Sequence, residues 1–549
     1  MKIIGAALEH DVHVAGLVHF LHLAEEAGHV TINLGPAVPL ARLLDEAHRT
    51  GADLIAVSYR LTPEVARTLF ARMKKALPAH ALQKAIFVFG GTPPVAAEAK
   101  RSGLFQQVFS GEEPVEEIQA FLSGKKGKLR GSVPPQTLEG RVRARAPFPL
   151  IRHHFGLPSL EETVAGVTRI AESGVLDILS IGPDQNAQES FFRPKEMDVE
   201  KDGAGGVPLR RPEDLARLYA VTRRGNHPLL RCYAGTRDLL RWAEMLTQTI
   251  HNAWGAIPLF WYSELDGRSS RPLAEAISEN LEAIRWYAQH QIPVEINDVH
   301  QWSLRYAPDA VAVADTWLCA YIAKSLGIGV YVAQYMWNTP PETTATNDLG
   351  KMLAQKEMVE SLREENFRPM HMIRSGLMLF SPDPAVAKGQ LATSIALALE
   401  LEPSIVHVVG SSEADHAARP EELIESVKIA QGVLRTLRDD RPRWSQDARV
   451  QARKEELLRE ARILLDAIRT IGSTRQPPAG CPAQDPFLDP AVLVKVIERG
   501  IFFAPHILHR MTKDFPFQTT TQAGCCRSAN SEDAKPVSEE ERLQWMGLA

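Results

Sequence analysis

Residues 2–16 read KIIGAALEHDVHVAG. Lys2–Leu8 is an apolar run of strand length, and Gly16–Gly28 then carries helical spacing with Gly28 as its stop. Between them lies Asp11-Val12-His13-Val14-Ala15-Gly16, a D-x-H-x-x-G turn. The same alternation continues outward, with strands expected at Val30–Leu34, Asp53–Ser58, Ala85–Phe89 and Gln107–Ser110. Helices are expected at Pro39–Thr50, Pro63–Leu77 and Pro114–Leu122. Repeated β-α units of this length predict an α/β unit with a parallel, doubly wound sheet over residues 1–122. Such a sheet binds ligands beyond the carboxyl ends of its strands. The loops at 9–16, 58–63, 90–94 and 110–114 therefore face one crevice.

The chemistry of that crevice starts with His13. A neutral imidazole on a strand-end loop is a good metal ligand. Asp11, two positions earlier, can hold the other ring nitrogen, fixing the tautomer and raising ligand basicity. Gly16 allows close approach of a large ligand to the backbone. The same letters also fit an Asp-capped helix carrying a surface histidine. The neighbouring loops add small residues at strand ends: Ser58, the pair Gly90-Gly91, and Ser110-Gly111. They leave a deep slot for a ligand with a planar body and a long tail.

Residues 123–147 are basic, rich in Gly and Pro and poor in apolar residues, and read as a linker. Eight apolar strands follow: Pro149–His153, Leu176–Ile181, Pro228–Tyr233, Ile257–Tyr262, Pro293–Asn297, Val330–Gln334, Met370–Ile373 and Ile405–Val409. That count and length predict a (β/α)₈ TIM-type barrel over 148–440. Its chemistry is expected where strands end, among Arg152, Asp184, Gln185, Asn186, Arg231, Glu264, Asp266, Asn297, Asp298, His300, Asn338, Arg374, His407 and Glu413. Residues 441–549 read as a helical, partly irregular extension, with the last 30 residues poorly ordered and the Cys525-Cys526 pair exposed.

Composition bounds the partners. The 549 residues hold 62 Lys and Arg against 67 Asp and Glu, a net charge of −5, which argues against nucleic acid. No apolar run reaches the roughly 18 residues of a membrane span, so no membrane partner is expected. Five cysteines, at 232, 319, 481, 525 and 526, form no zinc pattern and no disulfide framework, as suits a reducing cytoplasm.

The Asp11-x-His13-x-x-Gly16 turn, with Ser58 about 42 residues on and Gly90-Gly91 about 32 further, resembles the flavodoxin-like cobalamin-binding domain of methionine synthase, glutamate mutase and methylmalonyl-CoA mutase. The resemblance covers residues 1–122 and implies cobalamin as cofactor, adenosylcobalamin first and methylcobalamin as the alternative. It implies that His13 binds cobalt and that Ser58, Thr62, Gly90, Gly91, Ser110 and Gly111 line the slot for the displaced tail. Arg60 stands where the family usually has leucine.

The barrel is similar to the catalytic subunit of glutamate mutase (methylaspartate mutase). Pro228-Leu229-Leu230-Arg231 matches a strand ending in a substrate arginine, Gln185-Asn186 an Arg-Gln-Asn turn, and Gly410–Pro420 a segment with a cofactor-contacting glutamate, here Glu413. By this resemblance Arg231, Asp184 and Glu413 are catalytic, and Arg152, Arg231, Asp184, Gln185 and Asn186 bind substrate. The family grips a dicarboxylate with three arginines; Arg231 and Arg152 match two, and the third falls on Asp184. The expected function is an adenosylcobalamin-dependent carbon-skeleton isomerase, a radical mutase, acting on a small carboxylate other than glutamate. The two modules can face each other within one chain or across a homodimer. A corrinoid methyltransferase and a non-catalytic cobalamin-binding protein are the alternatives.

Overall fold

The computed structural model describes residues 1–549 except 81, 83, 114, 124–132, 234, 377–379, 438–440, 474–484, 512–514 and 549. Cys481 and much of the expected linker lie outside the described residues. The chain divides into two units, Met1–Ser132 and Val133–Ala549.

In the first unit, β1 (Lys2–Ala7), β2 (Val30–Asn33), β3 (Leu54–Ser58), β4 (Ile86–Gly90) and β5 (Gln107–Phe109) form a parallel sheet in the order β2-β1-β3-β4-β5. Both faces are covered, so the strands read as continuous apolar runs. Ile4, Ala6, Ile55, Val57, Phe87 and Phe89 enter one core, while Ile3, Leu54, Ala56 and Val88 enter the other. Pro63 and Pro93 open their helices, and Gly51 and Gly103, both at positive φ, close theirs. The strand order reverses between β1 and β3, and the crevice of a doubly wound sheet forms at such a switch point.

The second unit is an eight-stranded parallel barrel. Its strands are β6 (Leu150–Phe155), β7 (Ile178–Ile181), β8 (Leu229–Cys232), β9 (Gly255–Ile257), β10 (Val294–Ile296), β11 (Val330–Met336), β12 (Arg368–Arg374) and β13 (Ile405–His407). The ladder runs β8-β7-β6-β13-β12-β11-β10-β9. The seam from β8 to β9 is bridged just before β9, where Ala253 N–H donates to Leu230 O (2.8 Å) and Cys232 N–H donates to the Asn252 side chain (3.2 Å).

Three expectations need correction. First, the stretch read as a linker contains the helix Leu138–Arg145, which belongs to the second unit. Leu138 packs with Leu150, Ile178, Leu229 and Ile405, the first inward residues of their strands, so this helix floors the barrel. Arg141 stitches it down by donating to the carbonyls of Pro135, Asn226 and His227. Three arginines in eight residues hid a buried face.

Second, the fourth barrel strand ends at Ile257, and Pro258–Tyr262 leaves the sheet. Proline has no N–H for a ladder. Asn280 Nδ2 instead holds the carbonyls of Pro258 and Leu259, and Asp298 Oδ1 accepts Phe260 N–H (2.9 Å). The run stays apolar because it is buried.

Third, the end of the chain is folded. β14 (Phe517–Gln522) and β15 (Cys525–Asn530) pair antiparallel about Ala523-Gly524, both at positive φ as a tight hairpin turn requires. Cys525 and Cys526 are buried, not exposed. Cys526 N–H reaches Asp309 (3.2 Å), whose carboxylate also pairs with Arg453 (2.7 Å) on the long helix Ala448–Ser473. Among the described residues no helix is long and apolar enough to cross a membrane.

Candidate functional site

The loop after β1 is built around Asp11, which is fully buried. Its Oδ1 accepts the His13 backbone N–H (2.9 Å) and faces His13 Nδ1 at 2.7 Å. Its Oδ2 accepts Arg60 N–H (2.6 Å) from the loop after β3. One carboxylate thus fixes the histidine ring and ties two strand-end loops together. The His13 side chain is 51% exposed, and with Nδ1 held, Nε2 is the available ligand atom. Position 60 supplies its backbone N–H to this bond, which explains why an arginine serves where the resembling family has leucine.

Beside this loop lies a cavity of about 610 Å³. Gly16, Ser58, Gly90, Gly91, Ser110 and Gly111 line it, with Leu17, Phe20, Val88 and Phe109 behind. Two glycines here do different jobs. A Cβ on Gly90 would meet nothing within 4 Å, so its missing side chain is empty slot; one on Gly91 would come 2.5 Å from Tyr59 O. Thr62 is exposed, precedes the helix Pro63–Ala76 and is not among the lining residues. The Ser110 hydroxyl and the N–H groups of Ser110 and Gly111 all donate to Glu113. Burial would raise that carboxyl, and these donors hold it below the usual range. A slot of this size, apolar-walled and rimmed by glycine, fits the tail of a large cofactor.

The barrel interior holds a second polar centre. Arg152 and Arg231, both wholly buried, converge on one carboxylate, Glu295, at 3.7 and 2.9 Å. Trp254 Nε1 donates to the same oxygen (2.7 Å). Burial, and then Arg231, bring the Arg152 guanidinium down to about 10. Arg374, at the end of β12, forms no ion pair among the described residues. Arg231 Nε and Nη1 and Arg374 Nε are buried without hydrogen-bond partners. The Tyr233 ring stacks on Arg231 at 4.4 Å. Burial would raise its phenol, but His154 and the three arginines outweigh it and lower it to about 8.

Gln334 organises the histidines. Its amide N–H donates to His300 Nδ1 (2.9 Å), and its oxygen accepts from Arg152 (3.3 Å) and from His407 Nδ1 (3.2 Å). His407 therefore carries its proton on Nδ1, and its buried Nε2 is a bare acceptor with no partner. Burial and then the neighbouring arginines keep both imidazoles neutral.

Glu413 enters from the loop after β13 and lies 3.2 Å from His153 Nε2 and 2.7 Å from His154 Nε2. Burial would raise it, and the two histidines bring it down to about 2. Asp184 sits elsewhere. Its oxygens accept the N–H groups of Ala187 (2.8 Å) and Gly203 (2.9 Å) and pair with Arg210. Asn186 is spent on Asp198 and Asp202, and Gln185 is exposed. These three anchor the 198–206 loop, so the anionic corner expected at Asp184 does not form; Arg374 adds a cation to the barrel instead.

Glu295, Gln334, Tyr233 and His154 were not singled out from the sequence. The signal for the first two is a lone polar residue inside an apolar strand, as in Val294-Glu295-Ile296.

A model of the B12 binding domain family matches residues 1–119. Among solved structures, a cobalamin-binding protein from Desulfitobacterium hafniense DCB-2 aligns at 24% identity with a TM-score of 0.20, over 22% of this chain and 56%, about half, of that one. Two structures of the cobalamin-dependent S-adenosylmethionine radical enzyme OxsB align at 10% and 9% identity. Their TM-scores are 0.16 and 0.18, over 87% of this chain and 69% of theirs. No curated protein matches. Residues 1–119 are a B12-binding domain set ahead of an eight-stranded parallel barrel, and cobalamin is the cofactor of this chain.

Proposed function

We propose that the chain is a cobalamin-dependent carbon-skeleton isomerase whose barrel binds a small carboxylate that also bears an amine or hydroxyl group. The observation that carries this reading is the unbalanced charge inside the barrel. Arg152 and Arg231 share the one carboxylate of Glu295, Arg374 has no ion-pair partner among the described residues, and N–H donors of Arg231 and Arg374 are unpaired. Unpaired buried donors are costly, and an anion with planar oxygens satisfies guanidinium groups best. The bare Nε2 of His407 can accept a hydrogen bond from the amine or hydroxyl. Arg152, held by Ser180 (2.8 Å) and Gln334, positions the wall rather than the substrate. Adenosylcobalamin, when bound, supplies radical chemistry through homolysis of its cobalt–carbon bond. The chain's own residues bind and orient the substrate and keep water from it.

His13 Nε2 is the proposed cobalt ligand. In ¹⁵N-labelled protein loaded with cobalamin and reduced to Co(II), EPR should show coupling to a protein nitrogen, absent in His13→Ala. Asp11→Asn should weaken cofactor binding by roughly 10–100-fold, the usual effect of losing a group that orients a ligand. Unchanged hyperfine structure in His13→Ala would remove the assignment.

The isomerase reading is tested with adenosylcobalamin-loaded protein and a panel of small amino and hydroxy acids. Freeze-quench EPR should give a Co(II) signal with the true carboxylate and none with its amide. A corrinoid methyltransferase is the second reading, and the His153–His154–Glu413 cluster favours it, because such donor sets hold metals that activate methyl donors or acceptors. Methyl transfer from methylcobalamin to a thiol, with no adenosylcobalamin response, would select it.

A further inference from the structure

We propose that His153, His154 and Glu413 form a binding site for a divalent transition-metal ion of the zinc class, distinct from the cobalt of the cofactor. The two histidines are consecutive on β6, and Glu413 comes from the loop after β13, the neighbouring strand. One ligand atom from each lies within 4.8 Å of the others.

The hydrogen bonding of His153 calls for a cation. Its Nδ1 is 2.6 Å from the His154 carbonyl oxygen, which can only accept, so Nδ1 carries the proton. Nε2 is then a bare lone pair. It is fully buried, has no hydrogen-bond partner, and lies 3.2 Å from Glu413 Oε1. An acceptor facing a carboxylate is repelled unless a positive ion stands between them. A proton on Nε2 meets the need poorly, because at 3.2 Å the pair still makes no hydrogen bond. A metal ion meets it well: at about 2.0–2.2 Å from each ligand, two donors of a tetrahedral ion stand roughly 3.3 Å apart.

The surroundings have the character of a metal site. The carbonyl on His153 Nδ1 fixes the tautomer and ring, as the outer partners of ligating histidines do. Glu413 Oε1 is oriented by Gly410 N–H (2.8 Å). A Cβ on Gly410 would sit 3.2 Å from His153 Nε2 and 3.3 Å from Glu413 Oε1, so glycine keeps that space open. A cavity of about 210 Å³, lined by His154, Gly205, Gly206 and Glu413, adjoins the cluster and leaves a fourth position for water or substrate. Three protein ligands and one open position are the arrangement of catalytic zinc; two imidazoles with one carboxylate also suit iron(II). The cluster of Asp298, Asp315 and Cys319 has no such opening, being wholly buried with Asp298 spent on Phe260 N–H and Trp302 Nε1.

The site stands whichever reaction the barrel catalyses, and its test reads metal rather than turnover. The full chain is purified without cobalamin, stripped with chelator, and titrated with Zn²⁺ or Co²⁺. Wild type should retain one equivalent of zinc after gel filtration, and Co²⁺ should give visible d–d absorption. Glu413→Gln and His153→Ala should lose the equivalent, each checked for fold by circular dichroism. Gly410→Ala keeps all three ligands and the N–H on Glu413, but its Cβ crowds His153 Nε2 and Glu413 Oε1, so binding should weaken without the loss of a ligand. His13→Ala should leave the stoichiometry at one. Zinc that washes out of wild type, or that stays in Glu413→Gln and His153→Ala alike, overturns the proposal.

Discussion

Gly90→Phe leaves a folded protein that no longer retains cobalamin. The position lines the cavity of about 610 Å³ beside β1 and β3, and a Cβ there meets nothing within 4 Å. A phenyl ring therefore enters the slot without straining the backbone and occupies the space the cofactor tail needs. Binding should fall at least a hundredfold, about 2.8 kcal/mol at 1.4 kcal/mol per factor of ten. Desalting followed by absorbance at the corrin bands measures retention, and circular dichroism checks the fold. Gly91→Phe is the contrast: its Cβ would stand 2.5 Å from Tyr59 O, so it should lower the melting temperature as well. Full retention of cobalamin by Gly90→Phe would mean that the tail lies outside the slot.

Arg231→Met should abolish turnover while cobalamin uptake stays at the wild-type level. Arg231 donates to Glu295 and points two unpaired N–H donors into the barrel. Losing one partner of a desolvated charge pair typically costs 2–5 kcal/mol, roughly thirtyfold to several thousandfold. The upper end is expected, because Arg231 also carries the Tyr233 ring on its guanidinium face. Glu295 keeps only Arg152 at 3.7 Å and Trp254 Nε1 at 2.7 Å, so its buried charge loses its closest cationic partner. Arg231→Met combined with Glu295→Gln separates the two effects. Thermal stability should recover in the double variant and turnover should not. Turnover is measured on the carboxylate that triggers the Co(II) signal in wild type; a rate within threefold in Arg231→Met would exclude a substrate role.

Much of this was legible in the sequence because the determining features are local. The turn around Asp11 and His13 lies within one β-α unit, and its geometry follows from two carboxylate oxygens and the N–H groups within their reach. The eight barrel strands announce themselves as apolar runs between helices. What was not legible depends on contacts between distant segments. Arg374 stood among 14 polar strand-end residues, and only the closed barrel brings its charge to bear on Arg152 and Tyr233. Asp184 aligned with a family arginine, but Arg210, 26 residues on, claims its charge. The terminal hairpin has Thr, Gln, Ser and Asn where large apolar residues usually mark strands, and its order comes from docking onto Asp309 and Glu456.

The floor helix Leu138–Arg145 also fixes where evolution can cut and rejoin this protein. A recombination joint before Val133 passes the barrel on with its base intact, free to acquire a different cofactor module. A joint at Pro147–Phe148, where composition alone would draw the boundary, strips the base away. Leu150, Ile178, Leu229 and Ile405 would then face water, each forfeiting on the order of 1.5–3 kcal/mol of burial. Module exchange among proteins of this plan is thus confined to one side of a single short helix, and arginine-rich sequence that looks dispensable is inherited with the barrel.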